Sequence, residues 1–368
     1  MQGDKFEEIL SREQAFLTKK APHTKYKIQY VSEYAKTWAY IASEFTSDNI
    51  NFIDCMCNAG IYRDGDFCSA IEVLKSFRDC AYRYPHKKYN LFLNDYDVDK
   101  IRIIKEVCNT IYSSYPSNLH IIFDNEDVNT YLYNIKKTHG AVFTFPSMTI
   151  LYVDPYSFHT VKIRAIEDFV KTTYCELLFN LFTSDFNRNK IDLGIREVLG
   201  GDYQISNVDE LVEHVVNRLK VGKMKHFLSY PFRQQKNVEL YQILFATPND
   251  KGLDKLKDAL WKVFDGCEYY RTDLAKEHGQ LSLFTETENQ EMSAKKYANE
   301  CILSFVEAFN GKEVAYSTIE RYVLERSLLK SSHIIKYIIK PMLADGKLIK
   351  NNLAGKSNYK SDSYWVKG

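Results

Sequence analysis

The chain has 368 residues, 45% of them hydrophobic and 26% charged, which fits about two domains of a globular protein. No apolar run reaches the roughly 18 residues that a membrane span needs, and the N-terminus lacks a signal-peptide pattern, so we expect a cytoplasmic protein without a membrane partner. Residues 292–368 contain 13 Lys and Arg and 7 Asp and Glu, whereas the other 291 residues have a net charge of −5. This distribution indicates that the C-terminal part binds a polyanion. The alternative is that its lysines only form a solvated face.

Helical and extended segments alternate along the first part of the chain. In residues 21–45, Tyr30, Tyr34 and Trp38 recur at four-residue spacing, which predicts a helix with one apolar face. The alternation that follows is typical of a parallel sheet with crossover helices. The predicted strands are residues 51–54, 88–94, 119–123, 149–153 and 176–182, and the predicted helices between them are residues 66–82, 98–112, 128–137 and 163–172.

A mostly helical insertion at about residues 190–222 precedes a pair of strands at 225–231 and 238–247 and a helix at 253–262. An open parallel sheet that ends in such a hairpin is similar to the fold of class I methyltransferases. We therefore predict an α/β, Rossmann-like, methyltransferase-type domain over residues 1–270. Residues 271–292 are polar and lack periodicity, which predicts a linker.

The last part, residues 293–368, has the pattern of a winged helix-turn-helix domain. Helices are predicted at 293–309, 318–326 and 332–344, and two strands at 347–349 and 363–366 flank a loop of Asn, Ser, Gly and Lys. Pro341 predicts a kink late in the third helix. Docking of a protein is the alternative to nucleic-acid binding. The residues expected to contact nucleic acid, mainly through phosphates, are His333, Lys336, Lys340, Lys350, Lys356 and Lys360.

Acidic and small residues follow the first three predicted strands, where Rossmann-like folds bind ligands. A carboxylate there accepts a hydrogen bond from a ribose hydroxyl or an amino group, and small residues let the backbone approach a nucleoside. Only Gly60 is present where a dinucleotide fingerprint has three glycines, and an acid that merely caps the next helix is the alternative at each position. The candidate cofactor-binding residues are Asp54, Asn58, Ala59, Gly60, Asn94, Asp95 and Asp127.

The fourth strand ends in Asp154-Pro155-Tyr156-Ser157-Phe158, which is close to the Asp-Pro-Pro-Tyr motif of amino-methyltransferases. In that motif the acid holds an exocyclic amine and the aromatic ring stacks on an extruded base. We therefore predict Asp154 and Tyr156 as catalytic residues. The eight cysteines form no C-x-x-C pair, so we predict neither a metal site nor a disulfide framework.

Several segments match the motifs of a known family. The family's opening motif, K-H-x-L…Y-x-x-x-W, is similar to Lys25-Tyr26-Lys27 with Tyr34 and Trp38. Its motif Y-I-D-x-F-A-G-x-G-x-Y is similar to residues 52–62, and its motif F-L-D-P-F-G is similar to residues 152–156. On these motifs the chain resembles the three-Cys-motif partner proteins (TcmP). The resemblance implies a methyltransferase-like domain with a C-terminal winged helix, and a radical-SAM-like three-Cys-motif protein as partner. The chain departs from the family pattern at Tyr62, preceded by Ile61, where the family has its second glycine.

The predicted linker contains Gln280-Leu281-Ser282-Leu283-Phe284, which resembles the peptide that binds the bacterial sliding clamp. In such a peptide, Leu281, Leu283 and Phe284 enter apolar pockets while Gln280 fixes the register. The alternative is that these apolar side chains dock the linker onto its own protein.

Together these patterns predict an S-adenosylmethionine-dependent methyltransferase-like protein that acts on or binds nucleic acid, in a DNA repair, modification or phage-defence context. Two other functions fit the same residues. One is a catalytically inactive Rossmann scaffold that binds DNA and a three-Cys-motif partner. The other is a winged-helix regulator that responds to a nucleotide in the Rossmann pocket.

Overall fold

The computed structural model describes residues 2–45, 48–188, 193–201, 203–235, 238–264, 266, 286–351 and 359–368. The chain forms two compact units, Met1–Asn249 and Asp250–Gly368. None of the described helices is long and apolar enough to cross a lipid bilayer.

The first unit contains one seven-stranded sheet with the strand order β3-β2-β1-β4-β5-β7-β6. Strands β1 to β5 are parallel, and β7 and β6 continue the sheet as an antiparallel hairpin. The predicted mostly parallel sheet with a terminal hairpin is confirmed, and the order of the first five strands is that of a Rossmann-like fold. The strands are β1 (Asn49–Asp54), β2 (Lys88–Asn94), β3 (Leu119–Asp124), β4 (Met148–Val153), β5 (Cys175–Leu181), β6 (His226–Gln235) and β7 (Val238–Thr247).

Helices cover both faces of this sheet, as parallel strands require. On one face Phe52 of β1 packs against Phe77, with ring centroids 6.4 Å apart. On the other face Ile53 and Phe92 belong to the core formed with the helices that follow β3 and β4. The helices are α1 (Gln2–Glu13), α2 (Thr24–Glu44), α3 (Ser69–Arg83), α4 (Val98–Ile111), α5 (Val128–His139), α6 (Ile163–Thr172), α7 (Thr183–Arg188), α8 (Leu193–Leu199) and α9 (Val208–Leu219).

Helix α1 is absent from the sequence-based prediction. Its apolar positions are few, and it is anchored by buried Ile9 and by Glu13, whose carboxylate accepts two hydrogen bonds from Arg102 of α4 at 2.8 and 2.6 Å. Since this anchor joins residues far apart in the chain, local periodicity carries no signal of it.

The second unit combines helices with a small antiparallel sheet of strand order β8-β10-β9. Its long helix includes residues 286–292, whereas the prediction starts this helix at residue 293, and the linker stays a prediction. The interpretation of this unit as a winged helix stays a prediction. Its elements are α10 (Asp250–Phe264), α11 (Glu286–Phe309), β8 (Glu313–Ala315), α12 (Tyr316–Arg326), α13 (Ser331–Ile334), a π-helical turn (Ile335–Ile339), α14 (Lys340–Ala344), β9 (Leu348–Asn351) and β10 (Ser363–Val366).

Helix α10 packs on the end of α12 through a buried lysine. The ammonium group of Lys257 donates hydrogen bonds to the carbonyl oxygens of Leu324 at 2.6 Å and Leu329 at 2.9 Å, and burial lowers the pKa of Lys257 to about 7. The first bond satisfies a carbonyl group in the last turn of α12 that has no partner within the helix, and the second anchors the segment that follows α12.

Candidate functional site

A cavity of about 710 Å3 opens in the first unit where β1, β2, β3 and β4 end. Strands β2 and β4 lie on opposite sides of β1, and the chain reverses its direction of travel across the sheet there. Ligands of open α/β sheets bind at such a switch point. The cavity is lined by the loops that follow the four strands and by residues 18–27, which lead into α2.

The loop after β1 is shaped by Asn58 and Gly60. Asn58 lies in the left-handed region with φ 58°, and its side-chain oxygen accepts a hydrogen bond from the N–H of Ala59 at 2.8 Å. Gly60 has φ 80°, and a Cβ there would lie 2.9 Å from the side chain of Ile104 in α4. Gly60 therefore permits the close approach of this loop to α4. Asn58 lines the cavity, whereas Ala59 and Gly60 do not.

Asp95 lines the cavity and is held by the backbone. Its two carboxylate oxygens accept hydrogen bonds from the N–H groups of Asn58 at 2.9 Å and Asp97 at 3.0 Å. Each oxygen keeps a second lone pair. Asp95 is therefore a fixed acceptor at the cavity wall that can bind a further hydroxyl or amino group.

Asn94, one residue earlier, is buried and does not line the cavity. Its amide donates to the carbonyl oxygens of Cys55 at 3.1 Å and Glu126 at 3.0 Å, and its side-chain oxygen accepts from the N–H of Glu126 at 3.0 Å. Asn94 thus joins the ends of β1, β2 and β3 and shapes the wall from behind.

Asp54 is also enclosed, with 1% of its surface exposed, and it does not line the cavity. Burial raises the pKa of Asp54 to about 8, although a hydrogen bond from the N–H of Met56 at 3.1 Å opposes this shift. Asp54 is therefore protonated and neutral at pH 7.

The loop after β3 contributes Asp127, which caps α5. Its carboxylate accepts hydrogen bonds from the N–H of Asn129 at 3.0 Å and of Thr130 at 3.4 Å. The loop after β2 contributes Tyr96, whose ring is 78% exposed and also lines the cavity. An exposed aromatic ring at a cavity wall offers a surface on which a flat group can stack.

Asp154 is the centre of a polar cluster at the end of β4. Both of its carboxylate oxygens accept hydrogen bonds from the Lys27 ammonium group at 2.7 Å, and one also accepts from the Asn180 amide at 2.8 Å. The Asn180 oxygen in turn accepts from the Tyr30 hydroxyl at 2.6 Å. Lys27 and Tyr30 lie on one face of α2, so this helix orients Asp154, directly through Lys27 and indirectly through Tyr30 and Asn180.

Tyr156 and His23 lie near Asp154 in the cavity wall. The Tyr156 ring is 79% exposed. Burial and the nearby Lys27 ammonium group lower the pKa of His23 to about 4, so His23 is neutral at pH 7.

Among the predicted site residues, the structure brings five together in this cavity: Asn58, Asp95, Asp127, Asp154 and Tyr156. It places the other four behind the cavity wall: Asp54, Ala59, Gly60 and Asn94. Their roles toward a ligand stay predictions. The prediction missed the cavity residues Lys27, His23 and Tyr96, although Lys27 lies in the family-like opening motif and Tyr96 directly follows a strand-end acid.

The residues predicted to bind nucleic acid have different environments in the second unit. Lys336 is 63% exposed and its ammonium group lies 3.2 Å from the Glu291 carboxylate, and Lys340 and Lys360 are exposed. Lys350 is largely covered and pairs with Asp362 at 2.7 Å.

His333 is half-buried against Trp261, with ring centroids 4.7 Å apart, and burial lowers its pKa to about 4. It thus belongs to the packing of α13 on α10. Lys356 and the clamp-like residues Gln280, Leu281, Leu283 and Phe284 lie outside the described residues. Among the described residues, no three His, Cys, Asp or Glu side chains are grouped in a way that could hold a metal ion.

No known protein-family profile and no curated protein matches the chain. Among solved structures, a DUF574 family protein from Streptomyces avermitilis is 10% identical, with a TM-score of 0.37, over 67% of this chain and 90% of that one. A SAM-dependent methyltransferase from Methanosarcina mazei is 12% identical, with a TM-score of 0.29, over 55% and 93%. An O-methyltransferase family protein from Burkholderia thailandensis is 10% identical, with a TM-score of 0.26, over 58% and 55%. Similarity at this level carries no argument about function, and the TcmP resemblance stays a prediction.

Proposed function

We propose that the first unit is an S-adenosylmethionine-dependent methyltransferase domain that modifies an exocyclic amine of a nucleobase. The observation that carries this proposal is the convergence of predicted residues from four strand ends on one cavity at the switch point of a Rossmann-like sheet. The cofactor would lie along the ends of β1, β2 and β3, and the acceptor would enter at the end of β4.

The residues present fit this cofactor. The cavity volume of about 710 Å3 lies within the range of small-molecule sites. Asp95 would accept hydrogen bonds from the ribose hydroxyls through its remaining lone pairs. Tyr96 would stack on the adenine ring, and Asp127 would accept a hydrogen bond from its amino group.

The end of β4 fits an amine acceptor. When bound, the cofactor supplies an electrophilic methyl group. Asp154 would accept a hydrogen bond from one N–H of the amine and so orient the nitrogen lone pair, and the exposed ring of Tyr156 would stack on the base. The Asp154 carboxylate pairs with the Lys27 ammonium group at 2.7 Å, and carboxylate oxygens are hydrogen-bond acceptors.

For the second unit we propose a winged-helix domain that binds nucleic acid through phosphate contacts. The element order supports this assignment, with helices α11, α12 and the segment 331–344 followed by the strands β9 and β10. Lys336, Lys340 and Lys360 are exposed, and residues 292–368 have a net charge of +6. Within the proposed contact set, Lys350 and His333 serve the packing of the unit instead.

Calorimetric titration with S-adenosylmethionine and S-adenosylhomocysteine tests the proposed cofactor site. We expect micromolar binding, weakened about five-fold or more by Tyr96→Ala, since stacking of a base on an aromatic side chain contributes about 1–3 kcal/mol. Tyr133→Ala is the matched control, because Tyr133 is 67% exposed on α5 and does not line the cavity. Equal losses in the two variants, or no binding by the wild-type protein, would contradict the proposal.

A further inference from the structure

The acceptor end of the cavity contains one positive and one negative side chain in direct contact. The Lys27 ammonium group lies 2.7 Å from the Asp154 carboxylate, and the two side chains are only 15% and 20% exposed. Lys27 also faces the ring of Tyr241 at 5.4 Å from its centroid. Because the pair is largely shielded from water, its charges act on a bound ligand more strongly than an exposed pair would.

Two further ionisable groups lie near this pair, His23 in the cavity wall and Asp54 behind it. His23 is neutral because burial lowers its pKa to about 4, and Asp54 is neutral because burial raises its pKa to about 8. At the end of β4 the charges of Lys27 and Asp154 therefore offset each other, whereas the acidic side chains Asp95, Glu126 and Asp127 line the cavity at the ends of β2 and β3.

Further hydrogen bonds hold Asp154 in its position beside Lys27. Asn180 of β5 donates to Asp154, and the Tyr30 hydroxyl, one helical turn after Lys27, holds Asn180. Lys27 and Tyr30 both belong to α2, and Tyr30 is fully buried. The compensation of the Asp154 charge is therefore part of the fold.

We propose that Lys27 determines the acceptor class: by cancelling the charge of Asp154, it makes the end of β4 select a neutral N–H donor and disfavour a protonated amine. The inference rests on the proposed function. An uncompensated carboxylate at this position would attract ammonium and guanidinium groups. A protonated amine has no free lone pair to receive a methyl group, so a neutral pair favours acceptors that are chemically competent.

The two cofactor forms are suitable probes, because S-adenosylmethionine carries a sulfonium charge and S-adenosylhomocysteine is neutral at the same sulfur. In the proposed site, Lys27 and Asp154 would flank the reacting end of either compound. We expect Lys27→Met to shift the ratio of the two dissociation constants about ten-fold toward the sulfonium compound, the effect of one uncompensated charge in a partly buried site. Asp154→Asn, which leaves Lys27 uncompensated, should shift the ratio in the opposite direction, and the double variant should return it toward the wild-type value.

Lys75→Met is the matched control, because Lys75 pairs with Glu72 at 2.7 Å on α3 and does not line the cavity. It should leave the ratio unchanged. The opposite signs of Lys27→Met and Asp154→Asn keep the test valid if one variant fails to fold. If both compounds bind but the ratio does not move, the inference about Lys27 is wrong and the cofactor site stands. If neither compound binds the wild-type protein, the proposed function fails and the inference fails with it.

Discussion

Two acids that end neighbouring parallel strands have opposite electrostatic environments in this protein. Asp54 ends β1 and is buried behind the cavity wall, where burial raises its pKa to about 8. Asp154 follows β4 and lies in the cavity with the Lys27 ammonium group on both of its oxygens. The same residue type at equivalent strand ends is thus a neutral hydrogen-bonding group in one case and an ion-paired carboxylate in the other.

Asp54 makes the stability of the first unit depend on pH. Its raised pKa means that the folded state keeps a proton that the unfolded state releases between about pH 4 and 8, so stability falls as the pH rises through this window. We expect Asp54→Asn to remove this contribution to the pH dependence of stability. Between pH 5.5 and 8, urea unfolding should show a loss of stability that is smaller in the variant by about 1 kcal/mol or more.

Burial also raises the pKa of Glu176 to about 7, so Glu176 likewise makes stability fall as the pH rises. Because both proteins contain Glu176, its contribution cancels when their pH profiles are compared. Asp79→Asn, which changes an exposed carboxylate on α3, is the control. Parallel pH profiles for the wild-type protein and Asp54→Asn would show that Asp54 is ionised in the folded state.

The positions of the strand-end acids could be predicted from the sequence, whereas the direction of each side chain could not. Asn94 and Asp95 are adjacent, yet one points behind the wall and the other lines the cavity, because successive side chains of an extended segment point to opposite sides. Lys27 could not be assigned to Asp154 because the two residues are 127 positions apart in the chain. Such contacts depend on strand order, which local patterns do not contain.

At the scale of elements, most helices and strands lie within a few residues of their predicted positions, since hydrophobic periodicity is strong in a sheet covered on both faces. The exceptions are α1, which the prediction omitted although Phe6, Ile9 and Leu10 lie at helical spacing, and the first turns of α11, which are mostly polar. A π-helical turn over Ile335–Ile339 precedes Pro341, for which the sequence predicts a kink. Because proline lacks an N–H group, a helix that continues through it must change its hydrogen-bond pattern locally.

Helix α13 begins on a cap that another helix supplies. The Asp254 carboxylate of α10 accepts hydrogen bonds from the Ser331 N–H at 2.7 Å and from the Ser331 hydroxyl at 2.8 Å. We expect Asp254→Ala to destabilise the second unit by about 1 kcal/mol, the usual effect of losing an N-terminal cap. Urea unfolding measures the loss, with Glu300→Ala on the exposed face of α11 as the control. Equal stability of the two variants would contradict a capping role for Asp254.

At the scale of the whole molecule, the alternation of strands and helices predicted the Rossmann-like sheet, and the charge distribution predicted a basic C-terminal part. The strand order β3-β2-β1-β4-β5-β7-β6 could not be predicted from the alternation alone, because it depends on which edge of the sheet each strand joins. The cavity follows from this order, since it lies between the loops of strands on both sides of β1.

The charge distribution yields a prediction about nucleic-acid binding. If the exposed Lys336 and Lys340 contact phosphates, the double variant Lys336→Ala/Lys340→Ala should bind duplex DNA more weakly and with a flatter salt dependence. The slope of log affinity against log salt should fall by about 2 in magnitude, near 0.9 per phosphate contact. Fluorescence anisotropy at several salt concentrations measures this slope.

Lys295→Ala/Lys296→Ala removes the same charge from the exposed face of α11 and serves as the control. Identical slopes for the two double variants would show that the lysines act only through net charge. If both double variants bind DNA as tightly as the wild-type protein does, the result would favour a protein partner for this unit.

Hydrogen–deuterium exchange of the full chain with and without S-adenosylmethionine tests the central claim most directly, because it locates the ligand without assuming a substrate. We predict slower exchange in the four segments that line the cavity, at residues 55–58, 95–97, 126–128 and 154–156, and unchanged exchange in the sheet formed by β8, β9 and β10. Protection confined to other segments, or no protection at saturating ligand, would contradict the assignment of this cavity as a cofactor site.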